Sequence, residues 1–135
     1  MNTKTNYNKK TKKNKKNSFI NGNRFINLTL DDCIRCIELD SSISVPNESS
    51  GNDFRGLQIQ LAKNTKKAIV VSGSDNRFEG VIWDIELLKD KRSLIEFTRK
   101  SMRNYVFSNI RSDFITDKGR NNYHSSPEEE AMKTK

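Results

Sequence analysis

A chain of 135 residues has room for one domain and, with 33% apolar residues and a mean hydropathy of −0.85, for one modest core. Its formal charge of +8 is concentrated: residues 1–17 carry seven lysines and no acid, while the rest of the chain sets 18 Lys and Arg against 17 Asp and Glu. The sequence holds no run of about 18 apolar residues to span a bilayer, no apolar stretch of a secretory signal, no Arg/Ser-rich presequence pattern and no lipidation signal, so integral membrane association is not expected.

The N-terminal segment, residues 1–23, reads as a disordered Lys/Asn-rich arm. Its lysines repel one another, and with a single aromatic, Tyr7, it has nothing to bury in return for the entropy of ordering. A single α+β domain is expected over residues 24–112. It opens with a short strand at 25–30, where Ile26, Leu28 and Leu30 alternate, and a short helix at 31–39, where Leu30, Ile34 and Ile37 fall at helical spacing. Residues 40–53 are rich in Ser and Asn, with Pro46 and Gly51, and read as an internal loop.

Three strands are expected next. Leu57, Ile59 and Leu61 alternate with glutamines; Ala68 to Val71 form a β-branched run; and Val81, Trp83, Ile85 and Leu87 alternate with other residues, which would place Trp83 in the core. Turn-forming residues at 63–66 and 73–76 suggest hairpins, hence a three-stranded antiparallel meander with one buried face. Ser93 and Glu96 have capping-box spacing and open an amphipathic helix to about Ile110. Leu94, Ile95, Phe97, Met102, Tyr105 and Val106 form its apolar side, and Arg92, Arg99, Lys100 and Arg103 lie opposite. Residues 113–135 read as a disordered polar tail in which phosphorylation at Ser125 or Ser126 would add negative charge. No internal repeat is found.

Candidate chemistry is sparse. Cys33 and Cys36 have CxxC spacing, but a zinc site needs four ligands and His124 is the lone histidine; flanking Asp31 and Asp32 disfavour a thiolate. A nucleophilic triad lacks a placed histidine base, and no glycine cluster forms a phosphate loop. Asp84, Glu86 and Asp90 read as solvated polar residues rather than cation ligands. No catalytic residue, metal ligand or cofactor is assigned, and a non-enzymatic protein is expected.

The arm is the strongest feature. Lys9, Lys10, Lys12, Lys13, Lys15 and Lys16 can neutralise phosphates without demanding geometry, which gives affinity without sequence selectivity. Residues 89–120 add a local +5 against −4 over residues 31–60, so the molecule is electrostatically polarised. The expected partner is RNA or DNA, RNA favoured, bound by the arm and by Arg92, Arg99, Lys100 and Arg103, with Phe54 and Phe78 as candidate stacking surfaces for bases. Such an accessory protein would work in the cytoplasm or nucleus, of a host cell if viral. Two alternatives stand beside it: a small viral structural or movement-type protein that packages RNA, and a peripheral module on anionic membrane or a protein partner. Self-association is left open.

Overall fold

The computed structural model describes residues 20–41 and 48–125, and within them almost all regular structure is strand. One sheet, A, has six strands: β1 (Arg24–Ile26), β2 (Thr29–Asp31), β4 (Asp53–Gln60), β6 (Arg77–Trp83), β8 (Tyr105–Phe107) and β10 (Tyr123–His124). The other, B, has four: β3 (Arg35–Leu39), β5 (Lys67–Val71), β7 (Ile95–Phe97) and β9 (Ile115–Asp117). The chain alternates between sheets, and every paired neighbour is parallel. Each passage through sheet B is therefore the crossover that a parallel pair in sheet A requires. The result is a parallel β-solenoid rather than an α+β domain.

This overturns the antiparallel meander, and the reason lies in the corners. A two-residue hairpin of the commonest kind needs left-handed backbone at both central residues. In the segment 73–76 only Asp75 has positive φ, at 56°. One left-handed residue redirects the chain to the other sheet instead of folding it back. The same device recurs at Gly22, Gly51, Asp75, Arg103 and Asn121, each directly before an asparagine.

Those asparagines form a ladder. The backbone N–H and side-chain amide of Asn23 both donate to Asn52 Oδ1 at 3.1 Å. Asn52 donates in the same way to Asn76 Oδ1, both at 3.0 Å, and Asn76 to Asn104 Oδ1, both at 2.9 Å. Asn104 continues to Asn122 Oδ1, where the second amide hydrogen bond of Asn122 ends on Asp117 Oδ1. Asn52, Asn76 and Asn104 are almost wholly buried, so each bond replaces a solvent contact that folding removes.

The internal repeat thus exists, but not at one period. Phe25, Phe54, Phe78, Val106 and His124 share a row of sheet A, separated by 29, 24, 28 and 18 residues. Phe25, Phe54 and Phe78 stack with ring centroids 4.5 and 4.8 Å apart. From sheet B the row Ile37, Ile69, Ile95 and Ile115 supplies isoleucines to the facing layer. Gly80 sits where a Cβ would collide with the Leu57 backbone of the adjacent coil.

No helix occupies 93–110. Leu94, Ile95 and Phe97 are buried around β7, Arg103 adopts the left-handed region, and β8 follows. Ser93 and Glu96 do not cap a helix: Ser93 Oγ contacts Thr116 Oγ1, and Glu96 pairs with Lys67 and Lys118. β-Branched and aromatic residues at 95–98 and 105–107 suit a pleated surface. Residues 35–39 likewise form β3, not a helix, with Ile37 and Leu39 buried and Glu38 exposed between them. The solenoid also extends past residue 112, through β9 and β10, so His124 belongs to it. Asp53, expected to close the internal loop, begins β4; residues 42–47 of that loop lie outside the described residues.

Candidate nucleic-acid interface

Lys9, Lys10, Lys12, Lys13, Lys15 and Lys16 lie outside the described residues. Without a helix, Arg92, Arg99, Lys100 and Arg103 do not form a stripe. Arg92 makes paired contacts with Asp90, whose carboxyl is held down to about 2, chiefly by the Arg92 side chain and then by its backbone N–H. Lys100 donates its Nζ to the Ser41 carbonyl at 2.7 Å, and Arg103 grips both oxygens of Asp75 at 2.8 and 2.9 Å. Arg99 is exposed and forms no ion pair among the described residues. Phe54 and Phe78 are 4% and 1% exposed, closed inside the aromatic stack, so neither presents a face to a base.

A different set of cations does converge. The connection from β4 to β5 carries Lys63 and Lys66 and runs into Lys67, the first residue of β5, and the connection from β6 to β7 carries Lys89 and Arg92; together they line a cleft of about 700 Å³. Five cations face it against one carboxylate, Asp90, itself taken by Arg92.

Both walls are held from below. On the first, Thr65 Oγ1 donates to the Cys33 carbonyl at 2.7 Å and accepts from Ala62 N–H at 2.9 Å, while Lys66 N–H donates to the Ile34 carbonyl at 2.8 Å. On the second, a single 3-10 turn, Ile85–Leu87, follows left-handed Asp84, whose carboxylate accepts from Gln60 Nε2 at 2.9 Å. Leu88, 3% exposed, anchors this wall in the core. Lys67 is committed to the Ser93 carbonyl and to Glu96, but Lys63, Lys66 and Lys89 form no ion pair among the described residues. These three charges are free to meet an anion.

A smaller cleft of about 370 Å³ lies at the far end of β7, lined by Ser72, Glu96, Thr98, Arg99, Lys100 and Lys118. Glu96 stands between the two clefts, 3.3 Å from Lys67 Nζ and 3.4 Å from Lys118 Nζ. Partial burial works against its charged form, yet Lys67 and then Lys118 outweigh that and lower its pKa.

The cysteines are free and half-buried; burial first, then neighbouring Cys33, pushes the Cys36 thiol up to about 12, which makes it a poor nucleophile at neutral pH. Among the described residues no three His, Cys, Asp or Glu side chains converge as a metal site, and no helix is long and apolar enough to cross a membrane.

In the sequence Lys63 and Lys66 fall in a turn and Lys67 beside it, where nothing local brings them to Lys89. Lys89 enters only the net charge of residues 89–120, because the two connections meet only when successive coils stack. Comparison with known protein families, with characterised proteins and with solved structures finds no match for this chain.

Proposed function

We propose that this chain is a non-catalytic nucleic-acid-binding protein, RNA ahead of DNA, that holds the phosphate backbone by charge and with little sequence selectivity. The observation that carries the reading is the cleft between the β4–β5 and β6–β7 connections, where Lys63, Lys66 and Lys89 stand without carboxylate partners among the described residues. Its walls are fixed by backbone and threonine hydrogen bonds, so the lysine stems, not the loops, adapt to a ligand. Seven further lysines within residues 1–17 add charge to the same molecule.

The test is a titration of single-stranded RNA, single-stranded DNA, duplex and anionic vesicles at two salt concentrations. It uses the full chain, a chain beginning at Ser18, and K63E/K66E/K89E. Each phosphate contact contributes about 0.7 to the log-log salt slope on a single strand, so the triple reversal should flatten the slope by about 2 and removal of the arm should flatten it further. Unchanged retention of RNA by both altered chains would end the proposal, and equal affinity for vesicles would move the cleft to anionic lipid.

A further inference from the structure

The outer face of sheet A carries an aromatic cluster that the cleft does not use. Tyr105 and Tyr123 are register partners on adjacent strands, 44% and 49% exposed, and Phe107 lies beside them. Tyr105 and Phe107 are nearly coplanar in orientation, 6° between rings with centroids 6.4 Å apart, and Tyr123 closes the group at 6.3 and 5.7 Å. Arg77, the register partner of Tyr105 on β6, holds its guanidinium 4.8 Å from the Phe107 centroid. Arg120, exposed and in no ion pair among the described residues, sits three residues before Tyr123.

We propose that Tyr105, Phe107 and Tyr123, with Arg77, form a stacking platform for unpaired bases, which makes the ligand of this protein a single strand. The proposal rests on the phosphate-binding reading and narrows it. Three observations point to bases rather than to another partner. The patch is made of ring planes and a guanidinium, the surfaces on which bases stack, and not of aliphatic side chains. Its backbone is fixed, because Tyr105 and Tyr123 directly follow ladder residues Asn104 and Asn122 and their N–H groups donate to the carbonyls of Asn76 and Asn104 at 2.9 and 2.8 Å; little ordering remains to be done on binding.

The third observation is continuity with the cationic cleft. Arg77, Glu79, Val81 and Trp83 alternate along β6 on the side away from the core. Trp83 is 52% exposed, and its indole N–H donates to Gln58 Oε1, which fixes the ring. Six residues of strand place it about 20 Å from Arg77. Trp83 leads straight into the connection that carries Lys89, so a strand laid along β6 runs from the tyrosines past the indole to the lysines. Asp53, on the same face, is paired with Arg55 at 2.8 Å, which leaves Glu79 on β6 and Asp84, held by Gln60 beside the indole, as repulsive groups along the path.

The probes are a 12-nucleotide single-stranded RNA, the matching duplex, and inorganic polyphosphate, which has the charge and lacks the bases. Y105A/Y123A should lose at least tenfold in affinity for the single strand, given the usual loss of roughly 5- to 150-fold per stacked base, and should bind polyphosphate as the unaltered chain does. Y105F/Y123F keeps the rings and should keep the affinity. Single-strand binding by Y105A/Y123A within twofold of the unaltered chain overturns the platform, as does equal loss of RNA and polyphosphate, or equal affinity of the unaltered chain for single strand and duplex. Intact polyphosphate binding by K63E/K66E/K89E would instead remove the cleft and leave the platform standing. Failure of the unaltered chain to bind RNA would remove both.

Discussion

Where the chain turns from sheet B into sheet A, a left-handed residue and an asparagine recur from coil to coil, and hydrogen bonds between coils close the bend. Where it turns from sheet A back into sheet B, the connections differ in length and composition and carry Lys63, Lys66, Lys89 and Arg92 to the surface. The first bend buries its asparagines and must therefore pair them; the second, apart from the buried and paired Thr65, leaves its polar groups wet and can vary them. Stability is expected to reside in one and binding in the other.

The largest effect that separates the bends is at Asn76. Asn76→Ala deprives the buried Asn52 N–H and amide of their shared acceptor and the Ser49 carbonyl of its donor. With each buried unsatisfied group costing about 1–3 kcal/mol, a loss of about 3 kcal/mol in unfolding free energy is expected, read from the urea midpoint. K63E/K66E/K89E should leave that midpoint within about 0.5 kcal/mol, since exposed charges contribute little. Equal destabilisation by the two variants would erase the distinction between the bends.

The same contrast explains what the sequence could reveal. Leu57, Ile59 and Leu61 are buried and Gln58 and Gln60 exposed, as their alternation implies, and 68–71 is a buried strand. Alternation reports which face is buried; it does not report whether the neighbour runs parallel, so the topology was not legible from it. The apparent helix at 93–110 has a physical origin. Leu94, Ile95 and Phe97 are buried at and beside β7 and Val106 is buried in β8, two short strands whose spacing mimics one helical stripe, while Tyr105, on the same expected side, is 44% exposed.

The corner signal itself was present. Gly22-Asn23-Arg24-Phe25, Gly51-Asn52-Asp53-Phe54 and Asp75-Asn76-Arg77-Phe78 are one pattern, with Arg103-Asn104-Tyr105-Val106 and Asn121-Asn122-Tyr123-His124 as weaker copies. Unequal coil lengths hid it from a search for a fixed period. Trp83 was misplaced for a simpler reason: Val81, Trp83, Ile85 and Leu87 alternate with Asp84 and Glu86 and so read as one buried face, but the strand ends at Trp83, left-handed Asp84 breaks the alternation, and the sheet buries Ile82. The convergence of Lys63 with Lys89 and of Arg77 with Phe107 depends on coil stacking and has no local signature.

A smaller effect sharpens the account of the wet bend. Glu96→Gln removes the carboxylate between the two clefts and releases Lys67 and Lys118 from it. If both clefts face the same polyanion, RNA affinity at low salt should rise about threefold and the salt slope should steepen by about one unit. Anisotropy titration at two salt concentrations measures both. A slope that stays the same would confine phosphate contact to the larger cleft.

The smallest effect belongs to Asp75 and Arg103, the two corner residues whose side chains are charged and pair with each other. The Asp75 carboxyl is held below the usual carboxylate range, chiefly by its hydrogen bonds to Arg103, against a small opposing cost of burial. A folded-state pKa lowered in this way stabilises the protein above the ordinary value of about 3.9, and that stabilisation fades as pH falls through the lowered value. Both side chains are about half exposed, 47% and 50%, so solvent screens the pair and Arg103→Gln should lower the urea midpoint only slightly at pH 7. The difference between Arg103→Gln and the unaltered chain should shrink towards zero near pH 2 and in high salt, as urea midpoints across that range would register. A cost that persisted unchanged at acid pH would assign the role of Arg103 to the left-handed backbone at the corner rather than to its charge.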